Sequence, residues 1–227
     1  MTKNSGAKIV LTASAIEMSD FNDNSFAAFV GGFAKGPMPL WFLRKKLYPP
    51  VERNSDGRAK YAPYGLRKVE ALLLENGFDE SEVAVVHPLD LDAFIGLETK
   101  VVGISSMDPM GMGYVSKTYS SLVGGGEPMN SIEFRELVMH RSIRRCKPKV
   151  IVGGFGAWQL ERKKVIENYG IDCIIIGEGE ESVSGIFRKA VNEEPLPRVV
   201  RFGNNIENEK MPMIKHAAIH GCVEISR

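Results

Sequence analysis

The 227-residue chain predicts an α/β fold, a flavodoxin-like (Rossmann-like) parallel sheet of five strands with helices on both faces. Short segments rich in Val and Ile recur along it, and the stretches between most of them carry apolar residues at helical spacing. The last segment, Asp172–Ile176, holds three isoleucines in a row, as suits a strand covered on both faces. It stops on a glycine-bearing turn and opens a helical run with Val183, Ile186, Phe187, Ala190 and Val191 on one side. Alternation of this kind requires a crossover between neighbouring parallel strands.

Taken in order, the strands are Lys8–Ala13, Val83–His87, Lys100–Ser105, Lys149–Gly153 and Asp172–Ile176. Leu66, Val69, Leu72 and Leu73 form the stripe of one helix, and Gly77 is a natural stop beyond it. Asn130 and Glu133 read as a capping pair ahead of Phe134, Leu137 and Val138. Gln159–Tyr169 reads as a further helix ended by Gly170. The strand order expected is 2-1-3-4-5, with ligands near its switch point.

One insertion breaks the rhythm. Residues 14–63 separate the first strand from its helix, far more than the ~2–6 residues usual for such a loop. They hold Phe26, Phe29, Phe33, Trp41, Phe42 and Tyr48, so the segment is either a functional lid or a small cap over the sheet. Met107–Gly113, rich in Met and Gly, is either an adaptable contact loop or a flexible turn. After Asn192 come Pro195, Pro197, a strand-like Arg198–Phe202 and then a polar stretch. Residues 1–192 are therefore expected to form the α/β domain, and 193–227 a linker leading into a further domain that begins where this chain stops.

Bulk properties exclude several classes. The chain is 44% apolar and 25% charged with a net charge of +1, which offers no global attraction to nucleic acid or to an anionic membrane. No apolar run approaches the ~20 residues that span a bilayer, and the N-terminus lacks a signal-peptide core. Cys146, Cys173 and Cys222 are odd in number and far apart, as expected of free thiols in a reducing cytoplasm.

The carboxyl ends of the strands gather Thr12 and Ser14, Ser105, Ser106 and Met107, Gly153 and Gly154, and Gly177, Glu178, Gly179 and Glu180. Small hydroxyl and glycine residues there make a shallow polar-walled floor for a large flat ligand, or for one carrying phosphate or amide groups. Tight turns alone would also demand such residues. Nucleotide loops fit poorly. No G-x-x-x-x-G-K-[ST] occurs, and Gly177-x-Gly179 meets Ser182 where a third glycine belongs. His87, beside Pro88, Asp90 and Asp92, could pair with a carboxylate or metal, or make one ordinary hydrogen bond. Glu178, Glu180 and Glu181 suit paired acids or a helix N-terminus. The basic run Arg141–Lys149 reads as a solvated helix end, and no nucleophile–base pair is visible.

Val150-Ile-Val-Gly-Gly154, followed by Asp172-Cys-Ile-Ile-Ile-Gly-Glu-Gly-Glu180, resembles the N-terminal cobalamin-binding domain of class B radical S-adenosylmethionine proteins. Val102-Gly-Ile-Ser-Ser-Met107 is similar to the strand before it, and His220–Arg227 to the approach to the radical domain. The resemblance covers about residues 8–227, leaves the insertion unmatched, and implies cobalamin as cofactor. It implies that Ser105, Ser106, Gly153 and Gly154 receive the nucleotide tail and corrin amides, while residues 177–180 shape the adjoining edge. A 4Fe–4S cluster and S-adenosylmethionine would belong to the downstream radical domain, the expected partner, so radical chemistry, for instance methyl transfer, is expected of the whole protein and not of this chain alone. The sequence departs from cobalamin mutases in lacking D-x-H-x-x-G after the first strand, so cobalt would take no histidine from there. Some members of the family keep the fold without cobalamin, which leaves a scaffold or partner-docking domain as the rival, and a stand-alone binder of a small anion as a third reading. Trp41, Phe42 or Trp158 packed beneath the Ser105 and Gly153 loops would favour the scaffold. An open floor would favour cobalamin.

Overall fold

The computed structural model describes residues 6–122, 125–178, 182–203 and 212–221. Its strands are β1 (Ile9–Ala13), β2 (Val83–Val85), β3 (Val101–Ser105), β4 (Lys149–Gly153), β5 (Cys173–Ile176) and β6 (Val199–Arg201). They form one fully parallel sheet in the order 2-1-3-4-5-6. The fold class and the order of the first five strands follow the sequence reading. The sixth strand is the difference. It is the strand-like part of the stretch read as a linker, and it pairs Ile174 with Val199 and Ile176 with Arg201. Beyond it, Ala218 bridges to Ala62 and Ile219 is buried in the core, so residues 212–221 lie docked against the domain.

The helices are α1 (Leu40–Lys46), α2 (Tyr64–Glu75), α3 (Leu91–Phe94), α4 (Tyr114–Leu122), α5 (Met129–Val138), α6 (Arg141–Cys146), α7 (Trp158–Arg162) and α8 (Val183–Val191). The period-2 alternation of the strands divides the core in two. Leu11, Val85, Val101, Ile151 and Ile175 face α2 and α8. Val10, Val102, Ile104, Val152 and Ile174 face the side packed by Phe134 and Leu137 of α5 and Leu160 of α7.

Two helix readings are corrected. The segment expected as a helix from Gln159 to Tyr169 is helical only through Arg162, because Lys164 turns left-handed at φ 54°. Asn130 and Glu133 do not form a capping pair. Pro128 stands at the N-cap, and the Glu133 carboxylate turns inward to a bidentate ion pair with Arg44 (2.7–3.2 Å) and a bond from Tyr48 Oη (2.8 Å). That contact clamps the insertion onto α5. Burial and the adjacent Glu133 charge push the Tyr48 phenol far up, so it stays a proton donor. The insertion thus packs as a cap with two 3-10 segments, Phe21–Asp23 and Ser25–Gly32, and a small core of Ala15, Ile16, Phe21, Leu43 and Tyr48 that closes on Met129 of α5.

Candidate cofactor-binding cleft

The cleft opens beside a row of three small residues, two of which, Ser105 and Gly153, line it. In register across the sheet, Ala13 lies beside Ser105 and Ser105 beside Gly153, all on the α2–α8 face at the carboxyl edge. One row deeper, Leu11 lies beside Gly103 and Gly103 beside Ile151. Helices α2 and α8 pack on the larger residues below, and among the described residues none fills the space above Ser105 and Gly153. The result is a cleft of about 500 Å³ between the sheet, Gly65, Val69 and Leu72 of α2, and Val183 and Phe187 of α8. Its depth ends at Gly103, where a Cβ would come within 2.7 Å of Leu11 Cδ2 and Phe187 Cζ.

The rim is backbone. Gly154 has φ +92°, and a Cβ there would stand 2.7 Å from the Ser106 carbonyl oxygen. Gly177 has φ +93° and would place a Cβ 2.4 Å from the Phe202 carbonyl oxygen. Both turns therefore require glycine. Gly153 differs, because its Cβ would point into the cleft with its nearest neighbour at 3.9 Å. Phe155, at the tip of the Gly-Gly turn, is 86% exposed and offers an apolar platform beside the mouth.

Of the residues singled out in the sequence, the cleft brings together Ser105, Gly153, Gly154, Gly177 and Glu178. Gly179 and Glu180 lie outside the described residues, as do Glu181 and Cys222. Thr12, Ser14, Ser106 and Met107 do not line it. Thr12 is buried and its hydroxyl donates to the Ala13 carbonyl. Ser106 is a staple: its amide and hydroxyl both donate to the Gly153 carbonyl (2.9 and 3.0 Å), and its own carbonyl accepts from Gly156. Met107 is exposed on the outer edge. The α2 wall and Gly103 were missed as site residues, though a glycine inside a strand is a signal of close approach.

A carboxyl group sits on the same edge outside the cleft. Ser14 Oγ donates to Glu17 Oε1 at 3.0 Å, and the Met107 backbone N–H adds a second donor. Burial, reinforced by the charge of Asp108, pushes the Glu17 carboxyl up to about 7 against those two bonds. Asp108 itself organises the Met107–Gly113 loop. It accepts from Gly113 N (2.8 Å), Gln159 Nε2 (2.8 Å) and Ser116 Oγ, and Gln159 Oε1 accepts from Met110 N (3.0 Å). The loop is a pinned turn.

His87 makes the ordinary hydrogen bond, accepting at Nδ1 from the Leu89 amide (3.1 Å). Burial and the nearby cations Arg53 and Arg44 push it down to about 3, so the ring is neutral, and it lies outside the cleft. Asp90 pairs instead with Arg53, and Asp92 with Arg141 and Ser142. Burial pushes the Cys173 thiol up to about 11, which makes it an inert core residue. Among the described residues no group of three His, Cys, Asp or Glu side chains could hold a metal ion, and no helix is long and apolar enough to cross a membrane. No protein-family model, no curated protein and no solved structure matches the chain.

Proposed function

We propose that this chain is the cobalamin-binding module of a radical S-adenosylmethionine enzyme acting in methyl transfer, cytoplasmic and working with its own radical domain. The observation that carries the reading is the pair of small cross-strand neighbours Ser105 and Gly153 beneath an open cleft. Of the three bulky residues that would argue for a plain scaffold, Trp41 and Phe42 lie outside the cleft, exposed on the insertion, whereas Trp158 lines it beside Gly154 and leaves about 500 Å³ open.

The residues present suit such a cofactor. A cleft of about 500 Å³ lies within the ~300–1,000 Å³ typical of small-molecule sites, enough for the heterocyclic end of a larger ligand. Leu11, Val69, Leu72, Ile151 and Phe187 would hold that apolar end, while the Ser105 hydroxyl and the backbone of the Gly154 and Gly177 turns face the amide-bearing rim. No histidine lines the cleft, so any cobalt would be held without one from these walls. When bound, cobalamin supplies a cobalt centre able to carry a methyl group. The chain's own part is to bind and orient it at the exposed edge.

The reading is tested by titrating the chain with hydroxocobalamin and methylcobalamin while following the visible spectrum and the binding heat. Stoichiometric binding with a spectral change supports it. Absence of binding to the folded chain, and again after the downstream domain is added, establishes the cobalamin-free scaffold instead.

A further inference from the structure

The insertion carries a surface that the cleft does not use. From Asn24 to Val51 the chain contains no Asp or Glu, but it contains Lys35, Arg44, Lys45 and Lys46. Arg44 is neutralised by Glu133, whereas Lys45 and Lys46 are exposed and have no ion pair among the described residues. The net charge of the whole chain conceals this local excess.

Helix α1 sets these cations among aromatic rings. Its inward side is fixed by Leu43, 2% exposed, and by Arg44 on Glu133. Trp41 and Lys45, and Phe42 and Lys46, are each four residues apart, so the two pairs share the outward side. Trp41 is 67% exposed and Phe42 37%, with their rings edge-on at 5.9 Å. Met38 before the helix and Leu47 after it are also exposed. The patch is preorganised, because α5 holds the helix rather than the helix holding itself.

Two properties select the occupant. Unpaired lysines call for an anionic partner, and bulky exposed apolar residues call for one that removes them from water. Single-stranded nucleic acid satisfies the lysines and would stack on Trp41, but it offers nothing to Met38 and Leu47. An anionic bilayer surface satisfies both, with aromatic side chains at the headgroup level and lysines beside the phosphates. We propose that the insertion docks this protein on anionic lipid, with Trp41 and Phe42 entering the interface and Lys45 and Lys46 facing the headgroups. This peripheral contact needs no spanning helix and is independent of what the cleft binds.

The test is co-sedimentation of the full chain with phosphatidylcholine vesicles, with and without about 30% phosphatidylglycerol. The chain is expected to sediment with the anionic vesicles and not with the neutral ones, and to be released by high salt. Lys45→Glu with Lys46→Glu, and separately Trp41→Ser with Phe42→Ser, should each weaken binding about tenfold or more. Their thermal midpoints should stay unchanged, since these side chains lie outside the core. Failure to sediment overturns the proposal, as does equal binding by the variants. Tighter binding to single-stranded RNA that is lost in the same variants would make the patch a nucleic-acid surface. Self-association abolished by Trp41→Ser would make it an interface between copies, and either result also overturns the proposal.

Discussion

On the face of the sheet that α2 and α8 cover, the row nearest the carboxyl edge is Ala13, Ser105 and Gly153. On the opposite face, one residue earlier, the same strands present Thr12, Ile104 and Val152. The second face is filled by Phe134, Leu137 and Leu160, and the first opens into a cleft. Backbone and twist are common to both, so side-chain volume in a single row makes the difference. A site of this kind is created by what the strands leave out on one side.

The largest effect separating the faces should come from deletions in the core. Phe134→Ala removes a fully buried ring from the filled face and should cost about 3–5 kcal/mol in a urea titration. Leu72→Ala, beside existing open space, should cost about 2 kcal/mol, the low end for such truncations. Equal costs would mean that the two faces are equally well packed.

Gly153→Leu sharpens the contrast from the other direction. The new side chain enters the cleft without meeting backbone, so stability should change by less than about 1 kcal/mol. Cobalamin affinity should fall about 100-fold, a loss of about 2.7 kcal/mol. Gly154→Leu cannot serve in its place, because it strains a left-handed residue against Ser106 and would damage the fold whatever the cleft binds.

Glu17 offers a pH-dependent comparison at the same edge. Its folded pKa of about 7 lies above the ordinary 4.5, so the unfolded chain ionises first as pH rises. The stability associated with this group is complete below about pH 4.5 and is lost as pH rises through 7. Glu17→Gln should abolish that slope and raise stability at pH 8 by about 1–2 kcal/mol, a figure discounted for partial exposure. An unchanged slope in the variant would show that Glu17 is solvated. The smallest effect belongs to Gly185→Ala in α8, where a Cβ meets nothing within 4 Å, and the gain should be about 0.5–1 kcal/mol.

Much of this was legible in the sequence, for physical reasons that differ by element. Strands β1, β3 and β4 announced themselves because strands buried on both faces read as continuous Val and Ile runs. The rim of the cleft was legible because its turns need glycine, at Gly154 and Gly177 above all. The face on which the cleft opens was not read, although it follows from combining alternation with register, and register is a long-range property. Glu133 misled because an acid near a helix start also suits a cap, and only the fold brings Arg44 and Tyr48 to it from far along the chain. Likewise β6 looked like linker because three residues, two half-exposed and one exposed, carry little pattern on their own.

Amide hydrogen exchange of the chain with and without hydroxocobalamin tests the central claim most directly. The account predicts protection confined to residues 65–72, 103–105, 151–158, 175–178 and 183–187, the segments that line the cleft. No change in these segments, or protection confined to residues 24–51 of the insertion, would contradict it.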